Sequence, residues 1–584
     1  MLQRNRLTWF LAILCSLIAL SMLTIALLPF EAMKMLLNHL SRDGNLSMLI
    51  PQNAIIFRFL IGMISLLFGG MAYITWAWKW AVVGYFFRKL VKDCFSFFSL
   101  QKIPRMDQGF LLALFVITIF AIVRRLALIT SPMLHDEAYT VGFADTFFHA
   151  ISDYSLPNNH VFHTILVYLS IHLWGYIPWV VRLPAFIAGV LLVPGVYFLA
   201  KQIYDPWTGI LASLLVAFSP NLINYSTSAR GYTLVALFTL ICLTLGNYVL
   251  RKKNIFAWGL IGLFSALGFF TVPVMLFPFG ILFTWLFLEN LVAVPASYSS
   301  KWEFFYYWLF AGVFAAILTI LFYTPILIYT TPQKLLENGF VAPVAWPDLL
   351  ETWHARLIET WAQWISGVPT AIIILLGLGW MLALVLHRKI SSVRIPLQLA
   401  AALWIITLMI VQRYNAWERV WVFLLPLMII WASAGVMPFL NKVHLKFAGH
   451  LSLAPVVLGA LILTCGWSTI RLGSRLPELL AQRGDVENVT LFLENNLEET
   501  DLVVVDWPDD APLMFYFQEY DISFHHFDKR FPYNRAWIVV NPPDGQTLES
   551  VLSDRGPDIP PLNLNAVELV QEFGTRQVFR CPIK

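Results

Sequence analysis

Long apolar runs, separated by short polar segments, recur along most of the chain. An α-helix needs about 20 apolar residues to cross a hydrocarbon layer of roughly 30 Å, so runs of this length are typical of membrane spans. We therefore predict an all-α polytopic membrane protein with about thirteen transmembrane helices. The predicted spans lie at approximately 9–29, 54–78, 109–130, 180–200, 207–223, 231–250, 256–272, 274–290, 305–329, 369–387, 395–411, 419–437 and 452–471.

Two further helical segments are predicted to lie at the membrane surface instead of crossing it. Residues 160–175, "HVFHTILVYLSIHLWG", carry three histidines, which favours a position at the outer interface. In "LLETWHARLIETWAQWISG" (349–367), aromatic and aliphatic residues recur at helical spacing with charges on the opposite face. That amphipathic pattern is typical of a helix lying on a membrane.

The pattern changes after residue 474. Apolar segments at 501–506 ("DLVVVD") and 536–540 ("AWIVV") are typical of buried strands, and "DVENVTLFLENNL" and "TLESVLSDRG" are typical of helices. We predict a small C-terminal α/β domain, which we expect to act as an accessory module. The chain then divides into two N-terminal spans with a basic linker (1–108), a membrane core (109–474) and this domain (475–584).

The distribution of basic residues predicts the orientation in the membrane. Cytoplasmic segments are enriched in Lys and Arg, and basic residues precede the first predicted span and follow the second. This places residues 134–140 and the C-terminal domain outside the cytoplasm, in a multi-pass protein of the cell membrane. Arg124 and Arg125, at the outer end of the third span, depart from the rule. They indicate either a lipid phosphate nearby or anchoring to lipid headgroups.

Composition supports the membrane assignment and excludes other classes. Hydrophobic residues make up 59% of the 584 positions and charged residues only 13%, which no soluble core of this length requires. The five cysteines are too scattered for a disulfide framework or a metal cluster. We find no nucleic-acid signature.

Three motifs follow one another after the third span: "LHDEAYT" (134–140), "RLP" (182–184) and "YSTSARGY" (225–232). Their order and spacing resemble the GT-C membrane glycosyltransferases, in particular the bacterial branch related to protein O-mannosyltransferases and to the aminoarabinose transferase of lipid A. The resemblance covers residues 110–250 well and 250–440 by helix pattern only. The first two spans and the C-terminal domain lie outside it.

The resemblance implies a glycosyltransferase that uses a polyprenyl-phosphate-linked sugar as donor, with chemistry on the outer face. Asp136 matches the position of the family's catalytic base, and a carboxylate just outside the bilayer can accept the proton of an attacking hydroxyl. Glu137 is a second catalytic candidate, which either orients Asp136 or binds sugar. The alternative is that both acids cap a helix N-terminus.

The leaving lipid phosphate requires cationic partners. Arg230 is the first candidate, because its guanidinium fork suits phosphate oxygens, although it can also reach lipid headgroups. Further phosphate candidates are His160, Arg413 and Arg419, while Arg182 is expected to pack and to anchor its helix. The neighbouring candidates for substrate binding are His135, Tyr139 and Tyr232.

One departure from the family pattern bears on metal use. Many relatives carry an acid before the Ala-Arg of the third motif, where this chain has Ser228. Hard divalent ions need several oxygen ligands, and only Asp136 and Glu137 are at hand. We predict no cofactor and no required metal.

Two rival functions remain open from the sequence. A transporter or flippase of lipid-linked sugars would place ionisable residues in mid-membrane, whereas here most of them gather at one face. A non-catalytic membrane scaffold is the other alternative. The expected partners are the lipid-linked donor, membrane lipid and a glycan, lipid or protein acceptor, with no nucleic acid.

Overall fold

The computed structural model describes residues 6–40, 54–77, 80–99, 105–155, 158–329, 343–442, 453–528, 532–554 and 561–583. Up to the end of the membrane core, the described helices are α1 (Arg6–Leu27), α2 (Phe30–Leu40), α3 (Ala54–Trp76), α4 (Trp80–Phe98), α5 (Arg105–Leu126), α6 (His135–Phe143), α7 (Phe147–Ser152), α8 (Val161–Trp174), α9 (Pro178–Ile203), α10 (Pro206–Phe218), α11 (Pro220–Ser226), α12 (Tyr232–Arg251), α13 (Ile255–Thr271), α14 (Leu276–Val292), α15 (Lys301–Tyr329), α16 (Trp346–Ile365), α17 (Thr370–Val385), α18 (His387–Ile390), α19 (Leu397–Gln412), α20 (Leu424–Lys442) and α21 (Leu453–Ser474).

The prediction of a multi-pass helical membrane protein is confirmed. Eight described helices are long and apolar enough to cross a membrane, and two bent pairs raise the number to ten. The bent pairs are α10 with α11, at 63°, and α16 with α17, at 115°. The predicted spans at 9–29, 256–272 and 395–411 correspond to shorter apolar helices, so the larger number and the orientation of the spans stay predictions.

Helix α8 contains 14 residues. At a rise of about 1.5 Å per residue, it is shorter than a hydrocarbon core of roughly 30 Å. Its length agrees with the prediction that residues 160–175 do not cross.

The segment predicted as a basic linker contains helix α4. Helix α4 is amphipathic and contacts the membrane core, where the Lys89 ammonium donates to the Tyr307 hydroxyl at 2.8 Å. The Asp93 carboxylate accepts the Ile255 N–H at the start of α13, at 2.8 Å.

Arg124 and Arg125 join helices, which the sequence did not reveal. Arg125 is fully buried, with its Nε donating to the Ser226 hydroxyl at 3.0 Å. The Arg124 guanidinium lies over the Phe218 ring at 4.6 Å and donates to Ser468 at 2.6 Å. Burial of Arg125 leaves it no access to a lipid phosphate or headgroup, whereas for the partly exposed Arg124 both roles stay predictions.

In the C-terminal region, the described residues form four short α-helices and a mixed four-stranded sheet. The helices are α22 (Leu476–Leu480), α23 (Asp485–Asn496), α24 (Asp510–Glu519) and α25 (Leu548–Asp554). The strands are β1 (Asp501–Val504), β2 (Arg535–Val540), β3 (Glu568–Phe573) and β4 (Arg576–Pro582), in the order β1-β2-β4-β3.

Strands β1 and β2 are parallel and correspond to the two predicted strands, whereas the antiparallel β3–β4 hairpin was not predicted. The buried Asp501 carboxylate fixes the first pair, because it accepts two hydrogen bonds from Arg535, at 2.7 and 2.8 Å, and one from the Trp537 indole at 3.0 Å. The C-terminal region thus contains a small mixed β-sheet, and its classification as an α/β domain stays a prediction.

The C-terminal domain packs directly on helix α6 and the segment before it. One apolar cluster combines Ala138 and Val141 of α6 with Val489 of α23 and Leu513 of α24. The Met133 N–H donates to the Tyr516 hydroxyl at 3.2 Å. The domain therefore lies against the segment that carries both predicted catalytic acids.

The backbones of helices α17 and α20 approach each other closely at Gly379 and Gly435, and this contact can be tested by mutation. A Cβ added at Gly435 would lie 1.8 Å from the carbonyl oxygen of Gly379. We expect Gly435→Ala to destabilise the protein by about 1–3 kcal/mol, the usual cost of overpacking a close contact. Gly377→Ala, on the same α17 but with no atom within 4 Å of the added Cβ, is the control. Thermal unfolding in detergent measures both, and equal melting temperatures would contradict this packing.

Candidate active site

Helix α6 begins at His135 and brings both predicted acids into its first turn. The Glu137 carboxylate accepts the Leu134 N–H at 3.1 Å, which satisfies one of the free donors at the helix start. The alternative capping role thus describes Glu137. It does not describe Asp136, whose side chain points to a group of cations.

Glu137 forms a buried ion pair with Arg182, and both side chains are 1% exposed. The guanidinium donates to the two carboxylate oxygens in a fork, at 3.0 and 2.6 Å. The Ala229 N–H donates to the same carboxylate at 2.7 Å. One carboxylate therefore ties together three separate segments: α6, the start of α9 and the loop before α12.

Arg182 extends this connection to the segment that leads into α6. It donates to the carbonyl oxygens of Ile129, Ser131 and Pro132 at 2.9, 2.6 and 3.1 Å. These contacts agree with the predicted anchoring role of Arg182, although its main partner is Glu137, the neighbour of Asp136.

Asp136 is 45% exposed and faces three cationic side chains. Its carboxylate oxygens lie 3.8 Å from His135 Nδ1, 3.8 Å from Arg230 Nη2 and 3.6 Å from Arg419 Nη1. The interaction with His135, together with the charges of Arg230 and Arg419, outweighs burial and lowers the pKa of Asp136 to about 2. Asp136 is thus a solvent-accessible carboxylate among cations.

Arg230 and His160 form the inner wall of this group. Arg230, 6% exposed, donates to the Asn158 side-chain oxygen and, at 3.3 Å, to the Asp136 carbonyl oxygen. His160 Nδ1 accepts the Gly231 N–H at 2.8 Å, and its Nε2 lies 3.3 Å from Arg230 Nη2. Burial and the charge of Arg230 lower the pKa of His160 well below its usual value.

A neutral His160 that accepts at Nδ1 carries its proton on Nε2. Its N–H and the guanidinium of Arg230 then converge as two donors. Two donors cannot satisfy each other, but an anionic oxygen within reach of both would accept from each.

Of the two arginines predicted in the loop after α19, the structure brings only Arg419 to Asp136. Arg413 ends α19 in a left-handed conformation, with φ of 50°, and its carbonyl oxygen accepts the Val344 N–H at 2.9 Å. Its side chain makes no hydrogen bond or ion pair with the site residues in the described part of the chain. Trp417 separates Arg419 from Arg356, whose guanidinium stacks on the indole ring at 3.5 Å.

The predicted aromatic residues divide between the surface and the interior of the site. The Tyr139 ring lies 4.9 Å from the His135 ring and is half-buried. Tyr232 is 7% exposed and packs edge-on against His160 at 4.9 Å. Tyr139 therefore remains open to a substrate, whereas Tyr232 supports His160 from behind.

Two residues of the C-terminal domain lie beside His135, and sequence reasoning missed both. His135 Nε2 lies 3.4 Å from Asp510 Oδ1, and the Trp507 ring lies 6.0 Å from the imidazole. No motif or spacing signals this contact, because the two regions are distant in the chain and meet only after the domain docks.

Among the residues that the structure describes, no group of three or more His, Cys, Asp or Glu side chains could hold a metal ion. The absence of a metal requirement stays a prediction.

An apolar cavity of about 440 Å³ lies at the start of helix α11. It is enclosed by the ends of α10 and α16 and by faces of α17, α20 and α21, with tryptophans and aliphatic side chains as its lining. Ser219 and Pro220, at the start of α11, contribute to its wall. Helix α11 leads from this cavity to the loop that carries Arg230.

Comparison with known proteins agrees with this architecture. Residues 161–329 match the family described as dolichyl-phosphate-mannose-protein mannosyltransferase. A comparison with curated proteins gives no significant match.

Among solved structures, the chain is similar to apo ArnT from Cupriavidus metallidurans, at 11% identity and a TM-score of 0.53, over 81% of this chain and 98% of ArnT. The same protein bound to undecaprenyl phosphate gives a TM-score of 0.51 at 11% identity, over 80% and 97% of the two chains. AglB from Archaeoglobus fulgidus, at a TM-score of 0.40 and 11% identity over 73% and 69%, is too distant to support an argument.

The identity to ArnT is low, so this likeness concerns the fold alone. Together with the family match, it confirms the resemblance to the GT-C membrane glycosyltransferases that the three motifs indicated.

The buried pair of Glu137 and Arg182 leads to a prediction on stability. Glu137→Gln leaves the Arg182 charge buried without a counterion, which costs about 3–5 kcal/mol. Glu568→Gln removes one partner of an exposed pair with Arg580, for which we expect a change within about 1 kcal/mol. Chemical denaturation in detergent distinguishes them, and a Glu137→Gln protein as stable as the wild type would contradict the proposed central role of the pair.

Proposed function

We propose that this protein is a membrane glycosyltransferase that moves a sugar from a polyprenyl-phosphate donor to an acceptor hydroxyl on the extracytoplasmic side. The observation that carries the proposal is one accessible carboxylate, Asp136, held within 4 Å of Arg230 and Arg419. A base and two phosphate-binding cations at one end of a helix bundle are the groups that this transfer needs.

The cationic group suits the phosphate of the donor. Arg230, Arg419 and the Nε2–H of His160 together offer charge-assisted donors with the fork geometry that favours phosphate oxygens. Without donor, the Asp136 carboxylate pairs with both arginines. A donor phosphate would compete for them, and this competition links donor binding to the state of Asp136.

Loss of these pairings would raise the pKa of Asp136 from its low value, because the charges of Arg230 and Arg419 contribute to depressing it, after the larger contribution of the interaction with His135. A carboxylate with a pKa near 2 is a weak base, so donor binding would make Asp136 a better proton acceptor. The basicity of Asp136 would thereby increase when a lipid phosphate occupies the two arginines.

In the proposed reaction, the acceptor oxygen attacks the anomeric carbon of the donor sugar and its proton passes to Asp136. The bond between that carbon and the phosphate oxygen breaks, and its electron pair leaves on the lipid phosphate. Arg230 and Arg419 stabilise the growing negative charge on this leaving group. The Glu137 side chain is buried and cannot reach a substrate. We therefore assign it a positioning role for α6 in place of the direct catalytic role considered from sequence.

The apolar cavity beside α11 supports a lipid-linked donor. A polyprenyl chain requires an apolar surface that leads to the phosphate site, and the cavity is lined almost wholly by apolar side chains. In addition, the ArnT structure with the same fold holds undecaprenyl phosphate.

The first test concerns the base. Asp136→Asn keeps the shape of the side chain but cannot accept a proton, and general-base contributions are on the order of 10²–10⁴ in rate. We expect transfer to fall by about that factor, with little loss of affinity for undecaprenyl phosphate.

The assay is release of lipid phosphate from a panel of undecaprenyl-phosphate hexoses and pentoses by the purified protein. Near-normal release by Asp136→Asn would exclude the proposed base. A wild-type protein that binds donors but never releases lipid phosphate would instead favour a flippase or a scaffold.

The second test concerns the cations. Arg230→Ala and Arg419→Ala each remove charge-assisted hydrogen bonds to phosphate, worth about 1.5–3 kcal/mol apiece. At 1.4 kcal/mol for each factor of ten, each variant should bind undecaprenyl phosphate about 10- to 150-fold more weakly.

Arg580→Ala, at an exposed position of the C-terminal domain, is the control for loss of a positive charge. Arg413→Ala should weaken binding less than Arg419→Ala, since only Arg419 contacts Asp136. Titration of detergent-solubilised protein with undecaprenyl phosphate gives these affinities. Unchanged binding in both Arg230→Ala and Arg419→Ala would rule out this phosphate site.

A further inference from the structure

His135 connects the proposed base to the C-terminal domain. Its Nδ1 lies 3.8 Å from an oxygen of Asp136, and its Nε2 lies 3.4 Å from an oxygen of Asp510. One imidazole therefore lies between a carboxylate of the membrane core and a carboxylate at the start of α24. The proposed reaction has so far used neither His135 nor Asp510.

The docking of the C-terminal domain fixes Asp510 at this place. Tyr516, on the same helix as Asp510, accepts the Met133 N–H just before α6. Gly484, before α23, packs so closely on Pro132 that an added Cβ would lie 2.6 Å from the proline ring. These contacts, together with the shared apolar cluster, hold α24 against α6.

The ring of His135 is enclosed on several sides. Asp136 and Tyr139 face it from α6, and Asp510 and Trp507 face it from the C-terminal domain. Only the two carboxylates among these groups carry charge near neutral pH. Because each ring nitrogen faces a carboxylate, the doubly protonated imidazolium is the form that satisfies both.

We propose that Asp510 is a positioning residue, which acts through His135 to hold the Asp136 carboxylate for the transfer reaction, so that the C-terminal domain completes the active site. This inference rests on the proposed function, since it assigns a role to the surroundings of the same base. It also changes the role expected of the domain from an accessory module to a part of the catalytic machinery.

The charge balance at His135 gives the proposal a measurable consequence. Burial lowers the pKa of His135, but the interactions with Asp136 and Asp510 outweigh burial and raise it to about 9. The cation is therefore present below this pH and is lost as the pH rises through it. Without the Asp510 charge, the pKa falls towards the ordinary value of about 6.5, and His135 becomes neutral at a lower pH.

The first experiment measures this charge directly in the full-length protein. Diethyl pyrocarbonate reacts with neutral imidazole, and peptide mass spectrometry reports the modified fraction of His135 at each pH. In Asp510→Asn, we expect the midpoint of modification to shift down by about 1–3 pH units, as for removal of an opposite charge at this distance.

Asp510→Glu keeps the carboxylate and should restore the midpoint at least in part. Glu494→Gln removes an exposed carboxylate from α23 of the same domain and should leave it unchanged. An Asp510→Asn protein with the wild-type midpoint would overturn the proposal.

The second experiment follows the transfer rate against pH with the donor that the wild-type protein turns over. In Asp510→Asn, the alkaline limb of the profile should shift down with the His135 midpoint, while affinity for undecaprenyl phosphate stays close to the wild-type value. If Asp510 acts through His135, the double variant with His135→Gln should be no slower than His135→Gln alone. Additive losses, or a wild-type profile in Asp510→Asn, would exclude this role.

These outcomes separate the inference from the proposed function. If Asp136→Asn abolishes transfer, but Asp510→Asn changes neither the midpoint of His135 modification nor the pH dependence of the transfer rate, only the role of Asp510 fails. If Asp136→Asn transfers normally, the proposed base fails, whatever the His135 midpoint shows. Should Asp510→Asn not fold, the His135→Gln protein carries the test, since its alkaline limb must disappear if the His135 cation matters.

Discussion

The buried ion pair between Glu137 and Arg182 is the interaction on which the rest of the site depends. Arg182 binds three carbonyl oxygens of the segment before α6, and Glu137 binds the N-terminus of α6 and the Ala229 N–H. A charge pair excluded from water is costly to break, because each partner would be left buried and uncompensated. The pair therefore fixes how Asp136, one residue before Glu137, meets Arg230, one residue after Ala229.

The two adjacent acids, Asp136 and Glu137, differ in burial and therefore in the groups that they can contact. Glu137 is buried and its oxygens accept hydrogen bonds from protein donors, whereas Asp136 is accessible and faces the charged side chains of Arg230 and Arg419. The arginines that would hold a donor phosphate also contribute, after His135, to the low pKa of Asp136 in the free protein. Under the proposed function, donor binding and the basicity of Asp136 would be linked, because the donor phosphate and the Asp136 carboxylate would compete for the same arginines.

The C-terminal domain forms part of this arrangement through His135. Hydrophobic contact with α6 stabilises the docked domain, and the ion pair of Asp510 with His135 helps to orient the domain on α6. A domain held mainly by apolar packing can still influence a charged site, because rigid packing sets the distance at which the charges act. Trp507, which is 62% exposed, lies next to His135 on the side of the C-terminal domain.

The sequence by itself determined the membrane class, the positions of most spans, strands β1 and β2, helices α23 and α25, and the motifs that carry Asp136 and Arg230. These follow from local properties, since hydrophobicity and its period act over 5 to 25 neighbouring residues or so. Only the tertiary structure decided that Glu137 is buried, that Arg419 and not Arg413 meets Asp136, that Arg124 and Arg125 join helices, and that β3 pairs with β4. It alone brought Asp510 to His135. Each of these outcomes depends on which distant segments pack together, and the energy of such a contact is not encoded at either position alone.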